Sequence, residues 1–346
     1  MWLQDTVAAA LLVALIIYAL TGGADYGGGV WDLLGRGPRA AAQRRLIEQS
    51  IGPIWEADHV WLILAVVILF VGFPHAYATI CTSLHLPLLG MLLGIVLRGA
   101  ALSFRAYGPG EPRFVHRWDR VFAVSSTITP PLLGVMVGAL ARGQLRAEPA
   151  LIEDFVAPWF GVFPFAVGIL TLAIFTYLAA VYATVQAPPG GALADDFRRR
   201  ALGSAVAADV TAGVVLLLAR RDAPVIWQGL TQRRWTWLLV WAATLLALGA
   251  LYCLWSRRYR LARFCAAGQV VLILCGWGAA QFPYLIVPTL TIQQSASDPR
   301  TLKLLVGALI FGAAVLIPSF GYLYRLFGVV RAKPLIPDNP PPAAGS

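Results

Sequence analysis

Long apolar segments alternate with short polar connectors along almost the whole chain. Each apolar segment is about 18–25 residues long, which suits a helix crossing a hydrocarbon layer of about 30 Å. The connectors hold glycine, proline and charged residues, which end helices and favour water. The pattern predicts an all-α polytopic membrane protein, a bundle of about nine transmembrane helices at roughly 4–22, 54–74, 85–104, 120–141, 159–184, 201–219, 235–255, 262–284 and 304–328.

The composition agrees with a membrane-embedded chain. Of the 346 residues, 59% are hydrophobic and only 13% are charged, which leaves too little polar surface to cover a soluble core of this size. We expect residues 1–333 to form a single transmembrane domain, because no separate soluble domain is visible in the pattern. The segment 334–346 is rich in proline and is predicted to be a disordered cytoplasmic tail.

The distribution of lysine and arginine predicts the orientation of the bundle. The first, third, fifth and seventh connectors and the C-terminal tail hold about 18 of these residues, and the other connectors hold about eight. We therefore expect the N-terminus outside and the C-terminus in the cytoplasm. The sixth connector opposes this assignment locally, because it places four arginines outside. We also expect the first apolar segment to be a retained span, since no basic residues precede it.

Neither the net charge nor the cysteines indicate a further ligand. The net charge of +10 is explained by the topology and by anionic lipid headgroups, so nucleic acid is not an expected partner. The cysteines show no C-x-x-C spacing and lie in or near apolar segments. We expect packing roles for them, with no disulfide and no metal site. These residues are Cys81, Cys253, Cys265 and Cys275.

The most informative polar residues lie at the start of the second apolar segment. Glu56 and Asp58 lie about two turns inside it, although an ionisable side chain at mid-bilayer costs roughly 2.5–3.5 kcal/mol on insertion scales. On the predicted topology Arg98, near the inner end of the third segment, lies at a similar depth. We therefore expect Glu56 or Asp58 to pair with Arg98. Two interpretations stay open, a static ion pair that fixes helix register and a proton-handling or cavity-lining site.

Glycines surround Asp25 in the segment from Gly22 to Gly29, at the inner end of the first predicted helix. Each glycine costs up to about 1 kcal/mol relative to alanine in a helix, so the run needs another reason. Close contact with neighbouring helices is the favoured reason, with Asp25 held against a neighbour. A phosphate-binding loop is disfavoured, because no strand precedes the run and no Gly-Lys-Ser/Thr follows it.

Two tryptophans, Trp55 and Trp61, flank the acidic residues, and His59 lies between them. Trp61 is deeper than an interfacial tryptophan, so cavity lining and packing both stay open as its role. His59 alone falls well inside a predicted span, and no second span offers a histidine at matching depth. Since a single histidine is more often an interior hydrogen-bonded group than an axial ligand, we do not expect this chain to bind haem.

Several of these segments also carry a family likeness. In their order along the chain they resemble the signature segments of subunit II of cytochrome bd ubiquinol oxidase. Each segment is weakly specific by itself, and the ordered set is strongly specific. The segments are Gly22–Trp31, Ile51–Leu62, Leu97–Arg105, Pro130–Gly134, Phe163–Phe165, Thr176–Leu178 and Gln281–Leu285.

The resemblance implies a non-haem subunit of a terminal quinol oxidase. In this family the haems b558, b595 and d and the quinol-oxidising loop belong to subunit I. Subunit II is needed for assembly and helps to conduct protons or oxygen to the haems. The resemblance therefore implies a heterodimer in a bacterial inner membrane, with quinol and oxygen as the substrates of the complex. Whether a small third subunit is present stays open.

The resemblance also implies roles for single residues. Glu56 and Asp25 match positions in a proposed proton route, and Trp61 matches a tryptophan near a proposed oxygen entry. Trp55 matches a tryptophan that lies beside a bound quinone in some members, so a structural quinone stays open. His59 is grouped with the two tryptophans as a residue that lines an oxygen or quinone cavity.

Asp58 departs from the family pattern, in which asparagine is usual at this position. Two carboxylates two residues apart in an apolar site repel each other, so we expect Glu56 and Asp58 to share or retain at least one proton. The alternative is that the extra acid simply pairs with Arg98.

The sequence thus predicts proton delivery from the cytoplasm toward the haems through Glu56, Asp58 and Asp25, with Arg98 holding the acids partly ionised. We expect Glu56→Gln to leave haem content near normal and to slow oxygen reduction. The alternatives are a proton-coupled secondary transporter and a purely structural assembly subunit. Nothing in the chain shows the paired broken helices that transporters often have.

Overall fold

The computed structural model describes residues 2–35, 37–51, 55–108, 111–146, 151–188 and 190–330. Within these ranges the chain is almost entirely helical, with one small β-hairpin. The nine longest helices are α1 (Trp2–Leu33), α3 (Trp55–Gly72), α5 (His85–Tyr107), α6 (Pro112–Arg142), α7 (Val162–Gln186), α8 (Ala192–Asp222), α10 (Arg234–Trp255), α11 (Tyr259–Gln281) and α13 (Pro299–Val330).

Shorter elements connect or cap these helices. They are α2 (Ala40–Ile51), α4 (Pro74–Ser83), a 3-10 helix (Ile152–Phe155), α9 (Pro224–Thr231), β1 (Tyr284–Ile286), β2 (Leu290–Thr291) and α12 (Ile292–Ser295). The tail 334–346, predicted to be disordered, lies outside the described residues.

The predicted membrane-spanning architecture is confirmed. Eight of the described helices are long and apolar enough to cross a membrane, and α3 and α4, which meet at 117°, add a ninth span when they are counted together. Each predicted apolar segment coincides with one of the nine longest helices. The orientation, with the N-terminus outside, stays a prediction.

Several helix ends differ from the sequence-based boundaries, and α6 and α8 begin earlier than predicted, at Pro112 and Ala192. Helix α1 continues through the glycine run to Leu33 instead of ending near residue 22, because its glycines pack against neighbouring helices. Helix α11 ends at Gln281, before the predicted boundary, because Phe282 and Pro283 turn the chain into the hairpin. The Gln281 side chain donates a hydrogen bond of 2.7 Å to the Leu285 carbonyl oxygen across this turn.

Helix α7 lies at the centre of the bundle and α13 at its edge. In the most apolar part of α7, 67% of the residues are buried inside the protein, compared with 6% in α13. Small residues allow close approach of α6 to α7, since a Cβ at Gly138 would lie 2.7 Å from the Pro164 Cα and 3.2 Å from the Val167 Cβ. The four cysteines are free thiols in this structure.

Candidate functional site

The glycine run keeps α1 helical because its glycines lie against two neighbouring helices. A Cβ at Gly23 would lie 2.6 Å from the Phe175 ring, and one at Gly27 would overlap the Phe175 carbonyl group on α7. A Cβ at Gly29 would overlap Ser126 on α6. Close helix contact, which the sequence favours for this run, is therefore confirmed. This contact fixes the position of Asp25 in the interior.

Asp25 forms a buried ion pair with Arg98 of α5. Its Oδ2 lies 2.6 Å from the Arg98 Nη2, and the two side chains are 4% and 1% exposed. The guanidinium carbon of Arg98 also lies 4.5 Å from the centre of the Tyr26 ring. A cation above an aromatic face is stabilised by the ring quadrupole, more so away from water. We refer to Asp25 and Arg98 as the inner ion pair.

The inner ion pair corrects the sequence-based pairing. The expected pairing of Asp58 with Arg98 is wrong, because the carboxylate beside Arg98 belongs to Asp25. Asp58 is itself buried on α3, at 6% exposed. The side chain of Glu56 lies outside the described residues. The reason for the difference is helix packing, since α3 packs mainly on α1, and α5 packs mainly on α6.

A second group of charges lies at the end of α1 where the chain enters α2. The Asp32 carboxylate lies 3.0 Å from the Arg44 Nε and 3.9 Å from the Arg105 Nη1. Arg105 also pairs with Glu48 and, at 3.0 Å, with Asp119. We refer to Asp32, Arg44, Glu48, Arg105 and Asp119 as the outer ionic cluster, because they lie nearer to the helix ends than the inner ion pair does. Sequence analysis overlooked it because its members come from four separate helices.

The two groups of charges are related by a common helical spacing. Asp25 and Asp32 are seven residues apart on α1, and Arg98 and Arg105 are seven residues apart on α5. Seven residues make about two turns and 10.5 Å of helix, so each pair of like residues lies on one face. The Phe122 ring lies between the two guanidinium groups, 5.4 Å from Arg98 and 5.2 Å from Arg105. The result is a line of charge running inward from the helix ends, interrupted by one aromatic ring.

Histidine and tyrosine side chains continue this line beyond the inner ion pair. The Tyr26 hydroxyl lies 3.3 Å from the His59 Nε2. The Tyr18 ring meets the same imidazole edge to face, with ring centres 6.1 Å apart. Tyr18 is a further seven residues from Asp25 along α1, so it shares the face that carries the two aspartates. His59 therefore contacts two tyrosines on α1.

Arg98 retains hydrogen-bonding capacity that the described chain does not use. Its Nε and Nη1 groups have no acceptor among the described residues, although the side chain is almost completely buried. The buried hydroxyl of Ser126 likewise has no partner within the described ranges. Buried polar groups are nearly always satisfied, often by ordered water. These groups can therefore orient water between the outer ionic cluster and the inner ion pair.

The two tryptophans of the acidic motif have different outcomes. Trp61 packs against Phe320 of α13, with ring centres 5.6 Å apart. This contact describes its surroundings and leaves its suggested role at an oxygen entry a prediction. The side chain of Trp55 lies outside the described residues, so its suggested place beside a quinone is also untested.

The haem prediction depends on the four histidines of the chain. His59 is partly buried and contacts Tyr18 and Tyr26, and the other three, His75, His85 and His116, are exposed. Among the described residues, no group of three His, Cys, Asp or Glu side chains is arranged to hold a metal ion.

A further acid at mid-helix escaped the sequence analysis. Asp209 lies near the middle of α8 and accepts a hydrogen bond of 2.7 Å from the Gln269 amide of α11. An aspartate in the middle of a long apolar run is a detectable signal, because charge is costly there. Asp209 joins different helices from those of the inner ion pair, so it is a separate polar contact in the second half of the bundle.

Comparison with known proteins places this geometry in a family. The family model described as cytochrome bd terminal oxidase subunit II matches residues 3–327. A Bacillus subtilis (strain 168) protein, putative cytochrome bd menaquinol oxidase subunit II, is 23% identical over 326 residues, or 90% of this chain and 92% of that protein. Cytochrome bd ubiquinol oxidase subunit 2 of the same strain is 32% identical over 136 residues. That alignment spans only 39% of this chain and 40% of the relative.

A solved structure supports the same fold. The bd oxidase of Geobacillus thermodenitrificans contains a chain that superposes with a TM-score of 0.79 at 22% identity, covering 94% of this chain and 99% of that one. The family model spans nearly every described helix, from α1 into α13. The resemblance drawn from the sequence is therefore confirmed, and the chain belongs to the cytochrome bd terminal oxidase subunit II family.

Proposed function

We propose that this chain is the non-haem subunit of a cytochrome bd-type quinol oxidase in a bacterial inner membrane. In this proposal it supports assembly of the haem-bearing subunit I and delivers protons for the reduction of oxygen to water. The haems b558, b595 and d are assigned to subunit I. Family membership supports that assignment, and so do the contacts of His59 with two tyrosines. Family membership also favours an oxidase subunit over a proton-coupled transporter.

The observation that carries the proton-delivery proposal is the inner ion pair two turns from the outer ionic cluster. Reducing oxygen to water consumes protons, and a hydrocarbon interior has no water path of its own. Ionisable side chains inside a membrane are costly and typically mark proton or ion pathways. The outer ionic cluster, at the helix ends, is suited to exchange protons with water.

Each residue of the line has a distinct task in this proposal. Arg98 keeps the Asp25 carboxylate available as a proton acceptor, because an adjacent cation favours the charged form. Phe122 separates the two groups of charges, so a proton crosses beside it only through water oriented by groups such as the Ser126 hydroxyl. Tyr26 and His59 accept the proton next, since they continue the line beyond Asp25. Asp58 and Glu56 remain predicted members of the route.

The test separates proton transfer from structural support by using the charges of the inner ion pair. Asp25→Asn alone leaves a buried guanidinium uncompensated, which costs about 3–5 kcal/mol and is expected to reduce the yield of assembled complex. Asp25→Asn combined with Arg98→Met removes both charges, so we expect assembly and haem content to recover. Oxygen consumption per haem is expected to stay low, because no carboxyl group remains at this position.

Asp25→Glu serves as the matched control, since it keeps the carboxyl group, and it is expected to retain more turnover than the double variant. Full turnover in the double variant would show that the inner ion pair is purely structural. Haem content, measured from the absorption spectrum, reports assembly, and oxygen uptake and proton uptake report function.

The location of the haems is tested by visible absorption spectra. We expect the haem bands in the purified complex and none in this subunit purified alone, because the four histidines of this chain offer no pair of axial haem ligands. Stoichiometric haem in the isolated subunit would contradict the assignment of the haems to subunit I.

A further inference from the structure

A cavity of about 600 Å³ lies at the same end of the bundle as the outer ionic cluster. It is enclosed by the end of α7, the first turn of α8 and the connection between α10 and α11. The first turn of α8 is joined to the start of α2 by the ion pair of Arg39 with Asp196, at 2.7 Å. Since α2 directly follows the end of α1, the cavity and the cluster share one end of the bundle.

Three arginines line the cavity along the connection between α10 and α11: Arg257, Arg258 and Arg260. Asp195 opposes them, with its Oδ1 3.2 Å from the Arg257 Nη2. Three guanidinium groups against one carboxylate leave a net charge of about +2. Within the described ranges no carboxylate lies within 4.0 Å of Arg258 or Arg260. Two guanidinium groups at the cavity are thus available to an anion.

The turn that presents these arginines is well defined. Arg257 adopts a left-handed conformation, with φ at 58°, which is uncommon for any residue other than glycine. The Arg258 N–H donates to the Cys253 carbonyl oxygen at 2.8 Å and closes the end of α10. Helix α11 begins directly afterwards at Tyr259. The turn therefore holds consecutive arginines at one wall instead of letting them spread over the surface.

An apolar strip extends from the cavity along the outside of α11. Leu261 lines the cavity, and Phe264 lies one turn further along the helix, with exposed fractions of 52% and 74%. Trp255 at the end of α10 is 71% exposed. The Arg198 side chain lies against the Trp255 ring and donates to the Leu254 and Trp255 carbonyl oxygens. An anchored tryptophan is typical of the level of lipid headgroups.

We propose that this cavity binds an anionic phospholipid, with Arg258 and Arg260 holding the phosphate and an acyl chain lying on Leu261 and Phe264. Basic cavities between helices at a membrane surface suit anionic headgroups. A soluble phosphate would use the same two guanidinium groups, but it would leave the apolar strip uncovered. The proposal is independent of proton delivery by the inner ion pair.

The test measures lipid that stays bound to the whole two-subunit complex. Arg258→Gln with Arg260→Gln removes two charges at the cavity. Arg45→Gln with Arg113→Gln removes two exposed charges at the same end of the bundle that do not line the cavity. Native mass spectrometry of each purified complex then counts retained phospholipid. We expect the cavity variant to weaken retention of phosphatidylglycerol about 30-fold and the control variant to behave like the wild type.

A charge-conserving variant and a wild-type measurement complete the test. Arg258→Lys with Arg260→Lys is expected to retain part of the lipid, since the charges remain. For the wild-type complex, phosphatidylglycerol is expected to raise the melting temperature more than phosphatidylcholine or inorganic phosphate does. Equal retention by the cavity and control variants would overturn the proposal. The proposal would also be overturned if inorganic phosphate raised the melting temperature of the wild-type complex as much as phosphatidylglycerol does. This wild-type measurement tests the proposal even when the cavity variant does not fold.

Discussion

Burial separates the ion pairs of this chain into two energetic classes. The Arg39–Asp196 pair has an arginine side chain that is 51% exposed, and exposed pairs contribute little to stability because water screens them. In the inner ion pair both side chains are at least 96% buried, so loss of one partner leaves an uncompensated charge. Single substitutions at Arg39 are therefore expected to be mild, and those at Arg98 severe.

Tyr26→Phe tests whether a hydroxyl group takes part in proton transfer. The phenylalanine ring keeps the packing on Phe175 and the cation–π contact with Arg98. Loss of the contact with His59 is expected to cost about 0.5–1.5 kcal/mol, and assembly should persist. We expect slower proton uptake and slower oxygen consumption at unchanged haem content, measured by stopped-flow and oxygen electrode.

The matched control for this variant is Tyr322→Phe on α13, which removes a hydroxyl group from an exposed tyrosine. Unchanged proton uptake in Tyr26→Phe would exclude its hydroxyl group from the route and leave Asp25 and His59 to exchange protons through water.

At the scale of elements, the bundle depends on how closely α1 approaches α7. Gly27 lies directly against the Phe175 backbone, and this approach carries Asp25 into the reach of Arg98. These glycines lower the helix propensity of α1 in isolation, but they allow its close contact with α7. Their effects on local propensity and on tertiary packing are therefore opposite. The position of the inner ion pair is thus a consequence of the helix contact.

Gly27→Ala is expected to force α1 away from α7, because an added Cβ overlaps the Phe175 carbonyl group. Overpacking of this kind typically costs about 1–3 kcal/mol. We expect a lower melting temperature of the complex and reduced turnover, measured by thermal unfolding and oxygen uptake.

Gly203→Ala on α8 is the matched control for this change. Apart from the neighbouring backbone of its own helix, no described atom lies within 4 Å of a Cβ built at Gly203, so helix propensity alone predicts a neutral or slightly stabilising effect. Equal destabilisation by the two substitutions would contradict the packing argument.

At the scale of the whole molecule, the edge of the bundle is apolar and open. Helix α13 exposes Leu304, Ile310, Phe311 and Val315, and α3 exposes Phe70. In a membrane protein such a surface faces lipid or another membrane subunit. This open edge agrees with a chain that works as one member of a complex.

The predicted orientation is tested by labelling single introduced cysteines in intact cells. Asp298→Cys lies in a connector predicted to be outside, and Arg113→Cys lies in one predicted to be cytoplasmic, and both positions are exposed. We expect a membrane-impermeant maleimide to label only the first, and to label both after the membrane is opened. Labelling of Arg113→Cys and not of Asp298→Cys in intact cells would show that the topology is the reverse of the predicted one. The unsubstituted protein gives the background labelling of the four native cysteines.

The amino-acid sequence is sufficient to predict the membrane class, the nine apolar segments and the family. The first two depend on composition and on the period of apolar residues, and the family depends on the ordered signature segments. Tertiary contacts change none of these properties. The close packing of the glycine run, with Asp25 held by a neighbouring helix, was also predicted, since small residues indicate close contact in lipid. The helical conformation of the run was not predicted, because the predicted first span ended near residue 22.

Which acid pairs with which arginine depends on tertiary contacts. Asp25, Glu56 and Asp58 all have a depth compatible with Arg98, and depth follows from sequence position. The choice depends on the direction in which each side chain leaves its helix and on which helices touch. Packing of α1 on α6 and α7 fixed both, and it placed Asp25 at Arg98 and Asp32 at Arg105. The position of a residue along its span determines its depth, whereas the contacts between helices determine its partner.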